Sequence, residues 1–129
     1  MAKKLAVVFG IVFVLVGVLG FFSNPIVGTD GYFVTDTIHN VVHLLIGIVL
    51  LIGAGAGEGA SALWLKIFGV VYLVLFVDGL IEGDMLLGFV KQNTHDTYFH
   101  LVLGIVLLIA GFTARKSSMM MDSNPSMTM

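Results

Sequence analysis

Three histidines recur at helical spacing in two separate apolar stretches of the chain. His39 and His43 are four residues apart, and His100 stands in a second stretch at the position that matches His43. Residues four apart share one face of a helix, so His39 and His43 can chelate one ion. Imidazole is a ligand of zinc, copper and iron. The pattern therefore predicts a metal site with His39, His43 and His100 as ligands.

Three acidic residues are candidates to complete such a site. Asp78 and Glu82 are four residues apart at the end of the third apolar stretch, and Asp96 precedes His100 by four residues. A carboxylate beside imidazoles suits the same transition metals. We therefore expect one of these three carboxylates to be a further ligand.

Other interpretations of the histidines stay open at this stage. They can be structural, with the imidazoles hydrogen-bonded to loops or to a facing helix. Alternatively, His43 and His100 can hold a haem or another pigment axially, because the interiors of helix bundles house such cofactors. A proton or ion pathway is a further alternative, although no charge falls at the middle of any apolar stretch.

The elements that must position these side chains are four apolar stretches. Hydrophobic residues make up 58% of the 129 residues and charged residues 11%, whereas a soluble domain carries about 25% charged residues. About 20 apolar residues cross a bilayer as a helix, and in lipid the backbone must pair its own polar groups. The predicted spans are residues 5–22, 38–56, 62–81 and 97–114. We therefore predict an all-α fold, a transmembrane four-helix bundle with up-down-up-down connectivity over residues 1–116, followed by a polar, Met-rich tail over 117–129.

The charges segregate between the two ends of such a bundle. One end carries five of the six basic residues: Lys3, Lys4, Lys66, Arg115 and Lys116. The other carries six of the eight acids: Asp30, Asp36, Asp78, Glu82, Asp84 and Asp96. Basic loops stay in the cytoplasm. This predicts a cell (inner) membrane protein with both termini cytoplasmic and the histidines at the outer side.

The chain also repeats itself. Residues 43–52 reappear as residues 100–109 with eight of ten positions identical, and residues 9–13 have a fainter echo at 68–72. The repeating unit is thus a helical hairpin used twice in tandem. Both copies cross the membrane in the same direction, so a pseudo-two-fold axis along the membrane normal should relate them.

One short motif resembles a known family. The motif is the run His39-Asn40-x-x-His43-Leu44-x-x-Gly47. In a four-span protein of this size it resembles the uncharacterised bacterial membrane family known as domain of unknown function 4383, over Lys4 to about Arg115. The layout is more distantly similar to four-span families of the DoxX type. The resemblance implies a small multi-pass membrane protein and no particular activity.

Negative findings narrow the function classes. The sequence has no G-x-S-x-G, Walker or G-x-G-x-x-G motif. Its net charge of -2 argues against a nucleic-acid partner, and the absence of cysteine excludes thiolate metal sites. We expect a non-enzymatic structural or accessory subunit, embedded in the lipid bilayer and contacting other membrane subunits or further copies of itself. The alternative is a metal- or haem-binding redox protein that uses the histidines.

Overall fold

Four long helices make up most of the structure. The computed structural model describes residues 1–22, 24–28, 31–88 and 90–122, without the side chains of 114–122. The helices are α1 (Ala2–Leu19), α2 (Thr37–Gly55), α3 (Glu58–Glu82) and α4 (Thr94–Asp122). Each is long and apolar enough to cross a membrane, α4 through its part Thr94–Thr113. The predicted transmembrane helical bundle is confirmed. Asp30 and residues 123–129 of the predicted tail lie outside the described residues.

The helices pack as two hairpins. The most extensive contacts join α1 to α2 and α3 to α4, and α3 also contacts α1 and α2. Only two residues separate α2 from α3, and the second of them, Gly57, has a φ of 113°. Glycine enters this region of backbone conformation without steric cost. The chain can therefore reverse direction in this short turn, while the connections within each hairpin are longer.

Glycines allow the helices of each hairpin to approach closely. A Cβ atom built on Gly47 would lie 2.7 Å from the carbonyl oxygen of Gly10, and one built on Gly104 would lie 3.0 Å from that of Gly69. Small residues at such crossings are typical of helix contacts in membranes. Matching glycines thus form the crossing in both hairpins. This supports the predicted duplication, which itself stays a prediction.

The core lies where the two hairpins meet, and the outer faces are aliphatic. The rings of Phe13 in α1 and Tyr72 in α3 are stacked with their centroids 5.7 Å apart. Leu50, Leu65 and Leu107 are fully buried. Many Val, Ile and Leu side chains on all four helices are instead exposed. An apolar exterior of this kind fits the hydrocarbon of a bilayer.

Two pairs of short strands close one end of the bundle, which we call the strand end. Strand β1 (Val27–Gly28) pairs in parallel with β2 (Phe33–Val34), and β3 (Met85–Leu86) pairs antiparallel with β4 (Val90–Lys91). Helices α2 and α4 both begin here, directly after β2 and β4. The first two turns of α2 and α4 therefore lie at the same end of the bundle as the strands.

The first turn of each of these helices is capped by a side chain. The Asp36 carboxylate accepts a hydrogen bond of 2.9 Å from the N–H of His39. The side-chain oxygen of Asn93 accepts one of 3.0 Å from the N–H of Asp96, whose carboxylate accepts in return from the N–H of Asn93 at 2.9 Å. Such caps satisfy backbone donors that the helix cannot. They fix His39 and Asp96 at corresponding places in the two helices.

Candidate metal centre

The structure brings His39, His43 and His100 together at the strand end. One ligand nitrogen from each residue lies within 4.8 Å of those of the other two. The three side chains are buried, with exposed fractions of 3%, 8% and 2%. His39 and His43 occupy the first two turns of α2, and His100 the second turn of α4. The cluster thus joins the two hairpins.

The ring of His39 is held by the backbone of the neighbouring hairpin. Its Nδ1 lies 3.0 Å from the carbonyl oxygen of Lys91 in β4. Because a carbonyl only accepts, Nδ1 carries the proton and Nε2 keeps its lone pair. Metal-binding histidines usually donate their second ring nitrogen to a partner of this kind. His39 is therefore already in the tautomer that presents Nε2 to an ion.

The other two imidazoles have an unpaired ring nitrogen. Nδ1 of His43 and Nδ1 of His100 are sealed from solvent, and neither has a hydrogen-bond partner among the described residues. Leaving a buried polar atom unpaired costs about 1–3 kcal/mol. Two such atoms in one cluster call for a ligand or a bound water that pairs with them.

Aromatic rings support the cluster from the middle of the bundle. The ring of Phe13 lies 6.0 Å from that of His43, and the ring of Tyr72 lies 5.1 Å from that of His100. Tyr72 is 1% exposed and its hydroxyl has no hydrogen-bond partner among the described residues. The stacked Phe13–Tyr72 pair therefore forms a floor beneath the histidines, with one polar atom in it.

Two cavities adjoin the cluster, and His43 and His100 line both. The first has a volume of about 380 Å³, part of it open to the outside, and is lined by His39, Val42, His43, Tyr72, Leu75, Leu86, Leu87, Val90 and His100. The second, of about 510 Å³ and also partly open, is lined by Val16, Ile26, Val27, Phe33, Thr35, His43, Asp96, Phe99, His100 and Leu103. His39 thus faces one cavity and Asp96 the other.

The three predicted carboxylates lie outside the group that the three histidine nitrogens form, and their role as ligands stays a prediction. Asp78 accepts a hydrogen bond of 2.8 Å from the N–H of Leu87, Glu82 is exposed, and Asp96 lines the second cavity. In the part of the chain that the structure describes, no carboxylate oxygen lies within 4.8 Å of all three histidine nitrogens. The ligand set that the geometry offers is therefore three neutral imidazoles.

Thr35 and Tyr72 also border the site, although neither is predicted from the sequence. Both have a buried hydroxyl without a partner among the described residues, and each lines one of the two cavities. A tyrosine in the middle of an apolar span was the available signal for Tyr72, because it stands where the other hairpin has Phe13. Thr35 lies in a loop region, and its burial depends on tertiary packing that no local pattern reports.

The fourth histidine lies apart from the cluster. The exposed ring of His95 is stacked on Tyr32 with centroids 3.8 Å apart, and its Nδ1 lies 3.0 Å from the carbonyl oxygen of Tyr32. Because His95 and Asp96 are adjacent in a helix, their side chains point in different directions. His95 is thus a natural control for substitutions in the cluster.

Comparison with known proteins places the chain in a family without giving it an activity. No curated protein and no solved structure matches it significantly. The predicted likeness to DoxX-type families stays a prediction. The family model described as Domain of unknown function (DUF4383) matches residues 3–113. The chain therefore belongs to this family, as the motif from His39 to Gly47 predicted.

Proposed function

We propose that this membrane protein binds one transition-metal ion through His39, His43 and His100. The observation that carries the proposal is the convergence of three buried imidazoles from two hairpins, with ligand nitrogens within 4.8 Å of one another. An ion at the centre of a triangle whose sides are no longer than 4.8 Å lies at most about 2.8 Å from each nitrogen, against about 2.0–2.1 Å for a zinc–imidazole bond. Side-chain rotations that move each nitrogen by less than about 1 Å close this gap.

A purely structural role accounts less well for the unpaired nitrogens. Most buried polar side-chain atoms have a hydrogen-bond partner, yet Nδ1 of His43 and Nδ1 of His100 lack one among the described residues. A metal ion takes up lone pairs that no donor satisfies, and it also removes the need for neighbouring imidazoles to pair with each other. The cluster is thus more readily explained as a ligand set than as packing.

A single ion fits the site better than a haem held by His43 and His100. The ring of His39 lies 4.5 Å from that of His43 and 6.0 Å from that of His100, on one side of the proposed axial pair. The Phe13 and Tyr72 rings cover the side toward the middle of the bundle. A porphyrin between His43 and His100 would have to displace one of these groups.

The membrane setting of the proposed site follows from the charge distribution. We place the protein in the cell (inner) membrane with both termini cytoplasmic, so that the strand end and its histidines are at the outer side. The aliphatic exterior would face lipid, other membrane subunits or a second copy of the chain. An accessory subunit that carries a metal ion is compatible with this setting, and so is a redox protein.

The test is metal analysis of the protein purified in detergent without chelators. We expect one equivalent of a transition metal after loading with zinc or iron salts, or with copper salts in the absence and in the presence of a reductant. We also expect its loss from the His43→Ala/His100→Ala double variant. His95→Ala is the matched control and should retain the metal. Failure of the wild-type protein to retain any of the three metals would overturn the proposal, and a Soret band would favour haem instead.

A further inference from the structure

The described residues that line the first cavity of the proposed site carry no charge. This inference rests on the proposed metal site. Apart from the three imidazoles, the first cavity is lined by the phenol of Tyr72 and by the aliphatic side chains of Val42, Leu75, Leu86, Leu87 and Val90. Lys91 is exposed and offers the site only its backbone carbonyl. None of the described residues that line this cavity is acidic, so no anionic side chain meets a bound ion from this side.

The nearest carboxylates are engaged elsewhere. Asp36 accepts hydrogen bonds from the backbone N–H groups of His39 and Lys91, at 2.9 and 3.2 Å. Asp78 accepts from the N–H of Leu87. Asp96 lines the second cavity together with His43 and His100, and its carboxylate accepts from the N–H of Asn93. Asp36 thus lies at the rim of the site rather than in it, and its carboxylate already caps α2.

Helix polarity adds a positive contribution. Helices α2 and α4 both begin at the strand end, so the positive ends of their dipoles lie near the histidines. These dipole ends repel a cation, and the repulsion grows with the charge of the cation, although Asp36 and Asp96 at the two helix starts offset part of it. The uncharged wall of the first cavity and the remaining dipole of the two helix N-termini therefore act together against a divalent ion.

The charge of the ion decides how costly its burial is. In the Born description the desolvation energy grows with the square of the charge, so a divalent ion costs about four times as much as a monovalent ion of equal radius. A divalent ion can lower this cost by bringing hydroxide. In the first cavity, however, the Tyr72 hydroxyl is the one non-histidine hydrogen-bonding side chain among the described lining residues.

We infer that the site is selective for monovalent copper, Cu(I), over divalent zinc, iron and copper. Copper is a metal that imidazole binds well, and it is the one among the three candidate metals with a common monovalent state. Three neutral nitrogens in an apolar cavity satisfy Cu(I) without a fourth ligand or a counter-ion. Divalent copper, which outcompetes zinc at most nitrogen sites, should here bind poorly.

The experiment is a pair of titrations on the full-length protein in detergent. Cu(I) is added anaerobically in competition with a chromophoric Cu(I) chelator, and Zn(II) in competition with a chromophoric zinc chelator. We expect one Cu(I) per chain, and a Zn(II) dissociation constant larger than that of Cu(I) by more than about 100-fold, as burial of an uncompensated second charge implies. Cu(II) added without reductant should give no stoichiometric protein-bound paramagnetic resonance signal.

The outcomes separate this inference from the proposed function. Binding of Zn(II) or Cu(II) as tight as that of Cu(I) overturns the selectivity and leaves the metal site standing. Binding of no metal at all overturns the metal site itself. Both results come from the wild-type protein and so do not depend on a variant that folds.

A charge introduced into the cavity wall tests the reason for the selectivity. Leu86 is 3% exposed and lines the first cavity. In Leu86→Asp we expect Zn(II) affinity to rise relative to Cu(I) by at least about tenfold, because the carboxylate compensates the second charge. Leu86→Asn has the same shape without the charge and should leave the ratio near that of the wild type. Equal ratios in the two variants would contradict the charge argument.

Discussion

His39 and Asp96 occupy corresponding places in the two hairpins but lead to different chemistry. They are 57 residues apart, the offset of the repeated His43 and His100 segments. Both lie in a first helical turn that a side chain caps, and both are buried, with 3% and 4% of their surface exposed. His43 and His100 line both cavities. His39 adds a third imidazole to one of them, whereas Asp96 and Thr35 line the other. The two helix starts are alike, so the difference in chemistry lies in the side chain at this position and in the other residues that line each cavity.

Metal binding should change most when His43 and His100, the two proposed ligands that line both cavities, are replaced. His43→Ala/His100→Ala removes two of the three nitrogens and should abolish metal binding, since a single imidazole in an apolar cavity cannot hold an ion against water. The measurement is metal content per chain after gel filtration. His95→Ala controls for the loss of a histidine at the same end of the bundle. Retention of one metal per double-variant chain would show that the ion binds elsewhere.

An aspartate at position 39 would give both corresponding positions, 39 and 96, the same acidic side chain and so remove the difference between them. His39→Asp places a carboxylate in each of the two cavities and should keep a site made of His43, His100 and the introduced carboxylate. We expect its preference to move from Cu(I) toward Zn(II) by at least about tenfold in relative affinity, because the new ligand is anionic. Competition titration measures this ratio, and His39→Asn is the uncharged control. A shift of equal size in both variants would show that charge is not the cause.

The helix crossings at Gly47 and Gly104 allow the packing of the two hairpins to be compared directly. An added Cβ would lie 2.7 Å from a backbone oxygen in Gly47→Ala and 3.0 Å from one in Gly104→Ala. Overpacking of this kind costs about 1–3 kcal/mol, so both variants should unfold at lower temperature in detergent, Gly47→Ala the more so. Gly59→Ala is the control, because a Cβ there meets no atom within 4 Å. An unchanged melting temperature in Gly47→Ala would mean that the hairpin crosses differently.

The sequence predicted the bundle and the members of the cluster for different reasons. Hydropathy and span length fix four helices, since lipid leaves the backbone no other way to pair its polar groups. The helical spacing of His39 and His43 and the repeat at His100 predicted which imidazoles share a depth. Residue spacing does not indicate which carboxylate lies near the histidines, because Asp78 and Asp96 accept hydrogen bonds from backbone groups at the strand end. Those contacts depend on how loops fold back over the helices.

The smallest expected change is in the free energy of unfolding and concerns the floor of the site. There the two hairpins differ by the hydroxyl oxygen of Tyr72, because the other hairpin has Phe13. Tyr72 and Phe13 are stacked on each other, each beside a histidine of its own hairpin, and the Tyr72 hydroxyl has no partner among the described residues. Tyr72→Phe removes this unpaired group and should raise the free energy of unfolding by about 1 kcal/mol, measured by thermal unfolding of the metal-free protein. Phe13→Tyr is the reciprocal control and should lower it. If Tyr72→Phe instead leaves the metal-free protein unchanged but speeds metal release, the hydroxyl contacts the ion or its bound water. In that case the two hairpins differ in their contribution to metal binding at Tyr72 and Phe13 as well as at Asp96 and His39.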